Sequence, residues 1–205
     1  MPHIRGYSIL SSGSFISRAA QERLRRHAKN AKLRQRDAKI QYMDFLEVVE
    51  KRKSVRKYSD RPVEKELLDA IVKVAQTAPS SRNSKSSAFM IVEDKDTLEA
   101  LSQMRDYGAS PLKSAQAGIV VMGDTSKTDL WVDNCAISAT FIQLAVTAMD
   151  LVSCWIHING RPCLKDQPDG KQAEDYVAGL LGIKEGLHPY CIIAIGYPEE
   201  EIPEK

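Results

Sequence analysis

Three short stretches carry side chains whose type and spacing could do chemistry. In "EKRKSVRKYS" (50–59), Arg52, Ser54 and Arg56 alternate. Alternate residues of an extended chain share one face, so two guanidiniums and a hydroxyl converge there and could hold a phosphate through charge-assisted bonds. The same residues also suit a solvated helix end, because cations favour the last turn of a helix. In "PSSRNSK" (79–85), Ser80, Ser81, Asn83 and Ser84 offer donors and acceptors enough to read the polar edge of a heterocycle, or simply form a turn for local reasons. In "SCWIHI" (153–158), an aromatic beside a histidine at a strand end either lines a pocket for a flat ligand or leaves Trp155 in the core and His157 merely satisfied.

Other chemistries find little support. The four cysteines form no CxxC pair and the four histidines never reach HExxH spacing, so reduced thiols and no metal site are expected. There is no GxxxxGK loop and no GxGxxG after a strand, so any nucleotide needs another binding device. The net charge of +2 hides an uneven distribution: residues 1–42 hold ten Lys/Arg against two acids, the remainder 19 against 25. An acidic body argues against a nucleic-acid-binding domain, which needs a broad basic face.

Positioning these residues falls to the elements around them. The 205 residues suit one soluble domain, being 43% hydrophobic and 27% charged. Residues 1–42 read as a basic appendage: an organellar transit peptide by composition, or equally an upstream translated or vector-derived stretch with Met43 as the real start. A helix is expected there from Ser17 to Ile40. From Met43, "MDFLEVVEKRKS" predicts a short helix with Phe45, Leu46, Val48 and Val49 on one broad face. "VEKELLDAIVKVAQTA" places Leu67, Leu68, Ile71, Val72, Ala75 and Ala78 at helical spacing until Pro79. "AFMIVED", "AGIVVMGD" and "YCIIAIGYP" predict strands, with "LVSCWIHI" extended. "KDTLEALSQMR" and "EDYVAGLLGI" predict helices. "WVDNCAISATFIQLAVTAMD" predicts a long buried helix, whose Asp133, Asn134, Gln143 and Asp150 disfavour a membrane span. The mixed order favours a three-layer α+β domain over a regular βαβ series.

Taken in order, Arg-x-Ser-x-Arg after a helix, "APSSxNS", the long apolar helix followed by "LVSCWI", and a closing "IIAIGYPEE" resemble the nitroreductase family of flavin enzymes over about Asp44 to Glu201. The resemblance implies an α/β/α fold with a mostly antiparallel central sheet, and a homodimer with the long helix at its interface and FMN bound there. It implies that Arg52, Lys53, Ser54 and Arg56 hold the ribityl phosphate and pyrimidine side of the flavin. Pro79, Ser80, Ser81 and Asn83 would reach the flavin from the partner subunit, and Trp155, Ile156 and His157 would lie against its ring. A further cation on the phosphate is usual near the C-terminus, where Lys205 is the nearby candidate.

One departure stands out: "NSKSSAF" occupies the place of the family's "NSQPWxF". Lys85 replaces a glutamine, and Ser86 and Ser87 replace a Pro-Trp pair, which should enlarge or loosen the pocket beside the flavin. Lys85 would favour an acidic substrate or stabilise negative charge on the reduced flavin, a role Lys53 or Arg56 could share. The activity implied is hydride transfer from NADH or NADPH to flavin N5, then ping-pong reduction of a nitroaromatic, quinone or similar flat acceptor. The cofactor carries that chemistry, so no catalytic Asp, Glu or His is required. Alternatives are dehalogenase or flavin-breakdown chemistry, a flavin-binding redox sensor without turnover, and a nucleic-acid binder acting through residues 18–39. A cytoplasmic location is expected, or an organellar one if the leader is a transit peptide.

Overall fold

The computed structural model describes residues 43–199. The basic leader 1–42, its expected helix, and Lys205 lie outside the described residues.

Helix α1 (Phe45–Lys51) is started by Asp44, whose carboxylate accepts the Leu46 N–H at 3.0 Å. Of its four expected apolar positions only Val48 is buried; Phe45, Leu46 and Val49 are 66%, 68% and 46% exposed. The periodicity is present, but the described residues of one chain leave most of that face uncovered. Helix α2 (Lys65–Gln76) buries Leu68, Ile71 and Ala75, one face at helical spacing. Each fully buried Leu or Ile contributes roughly 1.5–3 kcal/mol. The helix ends three residues before Pro79, which cannot continue it.

Strand β1 (Ser87–Val92), helix α3 (Lys95–Ser102), strand β2 (Ala117–Asp124), helix α4 (Trp131–Ala148), strand β3 (Val152–His157), helix α5 (Ala173–Leu181) and strand β4 (Leu187–Gly196) follow. The four strands form one sheet in the order β1-β2-β4-β3, every pair antiparallel. β2 and β4 are its centre, and the near-continuous burial of both explains their unbroken apolar sequences.

Alternation across the strands feeds two cores. Val120, Met122, Cys154, Ile156, Ile192 and Ala194 point to a layer containing Leu98, Leu101 and Val177 of α3 and α5. Ile119, Val121, Cys191, Ile193 and Ile195 point to the opposite layer, with α2 and α4. The result is the α/β/α arrangement expected. α4 is buried along Cys135, Ala139, Ile142 and Val146, while Ile137 and Thr140 face outward. Cys135, Cys154, Cys163 and Cys191 are all free thiols, the first, second and fourth buried. Among the described residues no helix is long and apolar enough to cross a membrane.

Two features lie outside what the sequence pattern predicts. Register shifts between β2 and β4, so that Val121 faces Cys191 and Met122 faces Pro189, leaving Tyr190 as the extra residue of a bulge. Beyond β3 the chain makes an excursion closed by pairing of Pro162 with Gln172 and by Cys163 N–H donating to Lys171 O at 2.8 Å.

Candidate functional site

The Arg-Ser-Arg segment leaves α1 at Arg52, whose N–H still donates to Val48 O. It then runs extended along the outer edge of β3. Val55 N–H donates to Ser153 O at 3.0 Å, and Ser54 bridges Ser153 in parallel. Arg52 and Lys53 are half-buried, Ser54 and Arg56 exposed. Arg56 donates to Ser54 O at 3.5 Å, and among the described residues no carboxylate pairs with Arg52 or Arg56. Lys51, at the true helix end, is the one that pairs back, with Glu47 at 2.8 Å.

Tyr58 holds this segment down. Its hydroxyl donates to Val55 O at 2.9 Å and lies 3.3 Å from Ala194 O. Burial pushes the phenol far above its ordinary pKa, so it stays a donor at any physiological pH. Gly196 permits the contact, since a Cβ there would come 2.8 Å from Tyr58. Beside Ser54, the Ser153 hydroxyl is buried with no hydrogen-bond partner among the described residues.

The loop 79–85 is built differently. Arg82, Asn83 and Lys85 have φ of 51°, 53° and 46°, left-handed conformations that cost a non-glycine residue about 1–3 kcal/mol each. They persist because Asn134 of α4 clamps the loop. Asn134 is 2% exposed; its Oδ1 accepts the Ser81 N–H at 2.8 Å, and its Nδ2 donates to Ser86 Oγ at 2.9 Å and Ser84 Oγ at 3.3 Å. Ser80 Oγ accepts the Lys85 N–H at 3.0 Å. Pro79, Asn83 and Lys85 are exposed, while Ser80 and Ser81 are half-buried. Within the Lys85-Ser86-Ser87 departure, Ser86 is buried on Asn134, which pins the loop, and Ser87 lines a cleft of about 310 Å³.

On β3, Trp155 and His157 point to the α2/α4 layer and Ile156 to the other, where its side chain is 1% exposed. Ile156 therefore offers only backbone on the Trp155 face. The Trp155 indole N–H donates to His157 Nδ1 at 3.4 Å, which places the neutral ring's proton on Nε2. Tyr190 stands edge-on to Trp155 (5.8 Å), His157 (5.2 Å) and Trp131 (6.4 Å). Trp131 in turn lies 5.7 Å from His188 and covers Gly123, where a Cβ would collide with its ring. Burial lowers the His157 pKa, with Arg161 and Arg105 adding to the effect and Glu174 opposing it.

The structure thus brings 52–56 and 155–157 together on one sheet edge. It puts the 79–85 loop at the start of β1, on the other edge. Three interstrand steps of about 4.8 Å separate those edges by about 14 Å. Tyr58, Asn134 and Tyr190 were missed as positioning residues. Asn134 and Pro189 left traces, as a polar residue in an apolar helix and a proline within a strand.

A polypeptide with this sheet, a pair of arginines on one edge and a strained polar loop on the other has clear relatives. The nitroreductase family model matches residues 49–118. A Methanothermobacter thermautotrophicus protein, provisionally named NADH dehydrogenase/NAD(P)H nitroreductase, is 34% identical over 167 residues, covering 80% of this chain and 82% of that protein. An Archaeoglobus fulgidus protein of the same name is 30% identical, over 77% and 87%. The solved structure of an FMN-dependent nitroreductase from Clostridium difficile R20291 superimposes with a TM-score of 0.73 at 38% identity, over 78% of this chain and 91% of that one. The chain belongs to the nitroreductase family of oxidoreductases.

Proposed function

We propose that the protein is an FMN-dependent oxidoreductase that takes reducing equivalents from NADH or NADPH and passes them to a nitroaromatic, a quinone or a similar flat acceptor. The observation that carries this reading is the Arg52/Arg56 pair on the β3 edge, without a carboxylate partner among the described residues and next to the Trp155–His157 aromatic face. Two cations and a hydroxyl without a carboxylate partner fit a phosphate monoester, and an aromatic strand face beside them fits a flat ring. When bound, FMN supplies the two-electron chemistry, accepting hydride from the nicotinamide and returning it to the acceptor.

The chain's own residues then bind and orient. Arg52, Ser54 and Arg56 donate to the phosphate, and Tyr58 fixes the backbone that carries them. Lys53 contributes positive charge toward the pyrimidine end. Trp155 and His157 present the wall against the ring, with His157 neutral and its Nε2–H available to donate. Ser80, Ser81 and Asn83, with Pro79, supply the polar edge of a second site, that of a partner copy. Loop and cradle lie on opposite sheet edges, about 14 Å apart, and their division between two copies is what the family resemblance implies.

A homodimer follows from the same logic. Phe45, Leu46 and Val49 of α1, with Ile137 of the adjoining α4, form an apolar surface that a second copy would cover. We place the catalytic domain in residues 43–205, with residues 1–42 as an appendage and a cytoplasmic location unless that leader directs the protein to an organelle. Anaerobic titration of the purified protein with NADH and NADPH tests the function. The flavin band near 450 nm (about) should bleach with one equivalent of one nucleotide per protomer; a colourless protein that takes up no added FMN would overturn the proposal.

A further inference from the structure

We infer that the cleft beside the 79–85 loop is an acceptor subsite for a single aromatic ring bearing a carboxylate, with Lys85 determining that specificity. The inference deepens the oxidoreductase reading above and rests on it for turnover, though not for binding.

Size comes first. At about 310 Å³, the cleft lies at the lower end of small-molecule sites, roughly 300–1,000 Å³. That volume takes one substituted ring and not a dinucleotide. Phe89 and two alanines give it an apolar wall, while Ser80, Ser87, Ser138 and Gln76 give it a polar one. Ser87 is what keeps it open. Ser138 Oγ donates to Ser87 Oγ at 3.0 Å, holding a short side chain against α4, and a large residue at 87 would project into the space.

Charge decides the ligand class. Lys85 is the single charged residue among those lining the cleft. No ion pair engages its ammonium among the described residues. The nearby Asp124 is already committed, to Lys127 at 3.3 Å and to Ser126 at 2.6 Å. Lys127 Nζ in turn lies 3.5 Å from Lys85 O, adding positive charge on the same side. The Lys85 backbone is fixed at φ 46° by the Ser80 hydroxyl and the Asn134 clamp, so the stem leaves the loop from a preset position. A carboxylate on the ring completes this arrangement with a charge-assisted bond; a neutral ring of equal size makes only the apolar contacts.

The test uses the purified full chain and two readouts. Calorimetry compares benzoate with benzamide. Steady-state kinetics compares 4-nitrobenzoate with 4-nitrobenzyl alcohol, each nitro group taking two electrons in its first step (R–NO2 + NAD(P)H + H+ giving R–NO + NAD(P)+ + H2O). We expect benzoate to bind about fivefold to tenfold more tightly than benzamide, with a similar ratio in kcat/KM. Lys85→Met, which keeps an unbranched stem on an exposed residue, should bring both ratios to about one, and Lys85→Arg should retain them. Ser87→Phe should exclude both rings while thermal denaturation shows a folded chain. Equal affinity for benzoate and benzamide, or a preference that survives Lys85→Met, would overturn the inference. A protein that binds benzoate selectively but carries no flavin would instead overturn the proposed function and leave the subsite standing.

Discussion

The two edges of the sheet solve the problem of presenting polar groups in opposite ways. On the β3 edge the chain is extended, unstrained and stitched to the sheet through Ser153, with Tyr58 as its anchor. Its working groups are long, mobile cations. On the β1 edge the candidate groups, Lys85 apart, are short, and three residues sit in left-handed conformations, held by one buried asparagine. An edge built by pairing tolerates changes in its side chains. A loop built by strain depends on its clamp. A role in binding on the first edge would therefore be separable from stability, whereas on the second the two would be coupled.

The largest expected effect breaks the β3 edge without unfolding it. Arg52→Ala/Arg56→Ala should weaken FMN binding on the order of 100-fold or more, because two charge-assisted contacts are lost. The melting temperature of the flavin-free protein should not move, which differential scanning fluorimetry reads alongside flavin titration. Breaking the β1 edge should do the reverse. Asn134→Ala leaves buried Ser86 and the Ser81 N–H without a partner and should cost about 2–4 kcal/mol by urea denaturation.

Tyr58→Phe should cost less, about 1 kcal/mol, since it removes one principal hydrogen bond while keeping the ring on Gly196. The smallest effect is one of pH. His157 has a pKa below 6.5 in the folded protein, so the unfolded chain binds its proton more readily. Stability present above about pH 6.5 should fall as pH drops through that value and level off below the folded pKa. His157→Gln should flatten that part of the stability profile.

Much of this was legible in the sequence where the cause is local. Helical spacing located α2, a long apolar run located α4, and shorter apolar runs located β2 and β4; the Arg-Ser-Arg alternation was compatible with the extended segment found and with a helix end alike. Trp155 and Ile156, expected together against one ring, fall in opposite layers because neighbouring strand residues face opposite ways. What escaped depends on contacts distant along the chain. Nothing in "SSRNSK" announces three left-handed residues, because Arg and Lys are not turn formers, and the cause lies 50 residues away in Asn134. Tyr190 enters the aromatic row through a bulge whose sole local trace is Pro189. α1 has the expected pattern yet stays largely exposed, because periodicity specifies a face and not what covers it.

The account's central claim is that each flavin site takes its cradle from one chain and its loop from the other. Mixing two defective chains tests this directly. Arg52→Ala/Arg56→Ala lacks the cradle, and Ser80→Ala/Asn83→Ala lacks the loop's polar groups. In a mixed dimer one site would carry both lesions and the other neither. The account predicts that co-refolded mixed dimers bind one tight FMN per dimer, although neither parent does. Mixed dimers that bind FMN no better than the parents would contradict it and return both edges to a single chain.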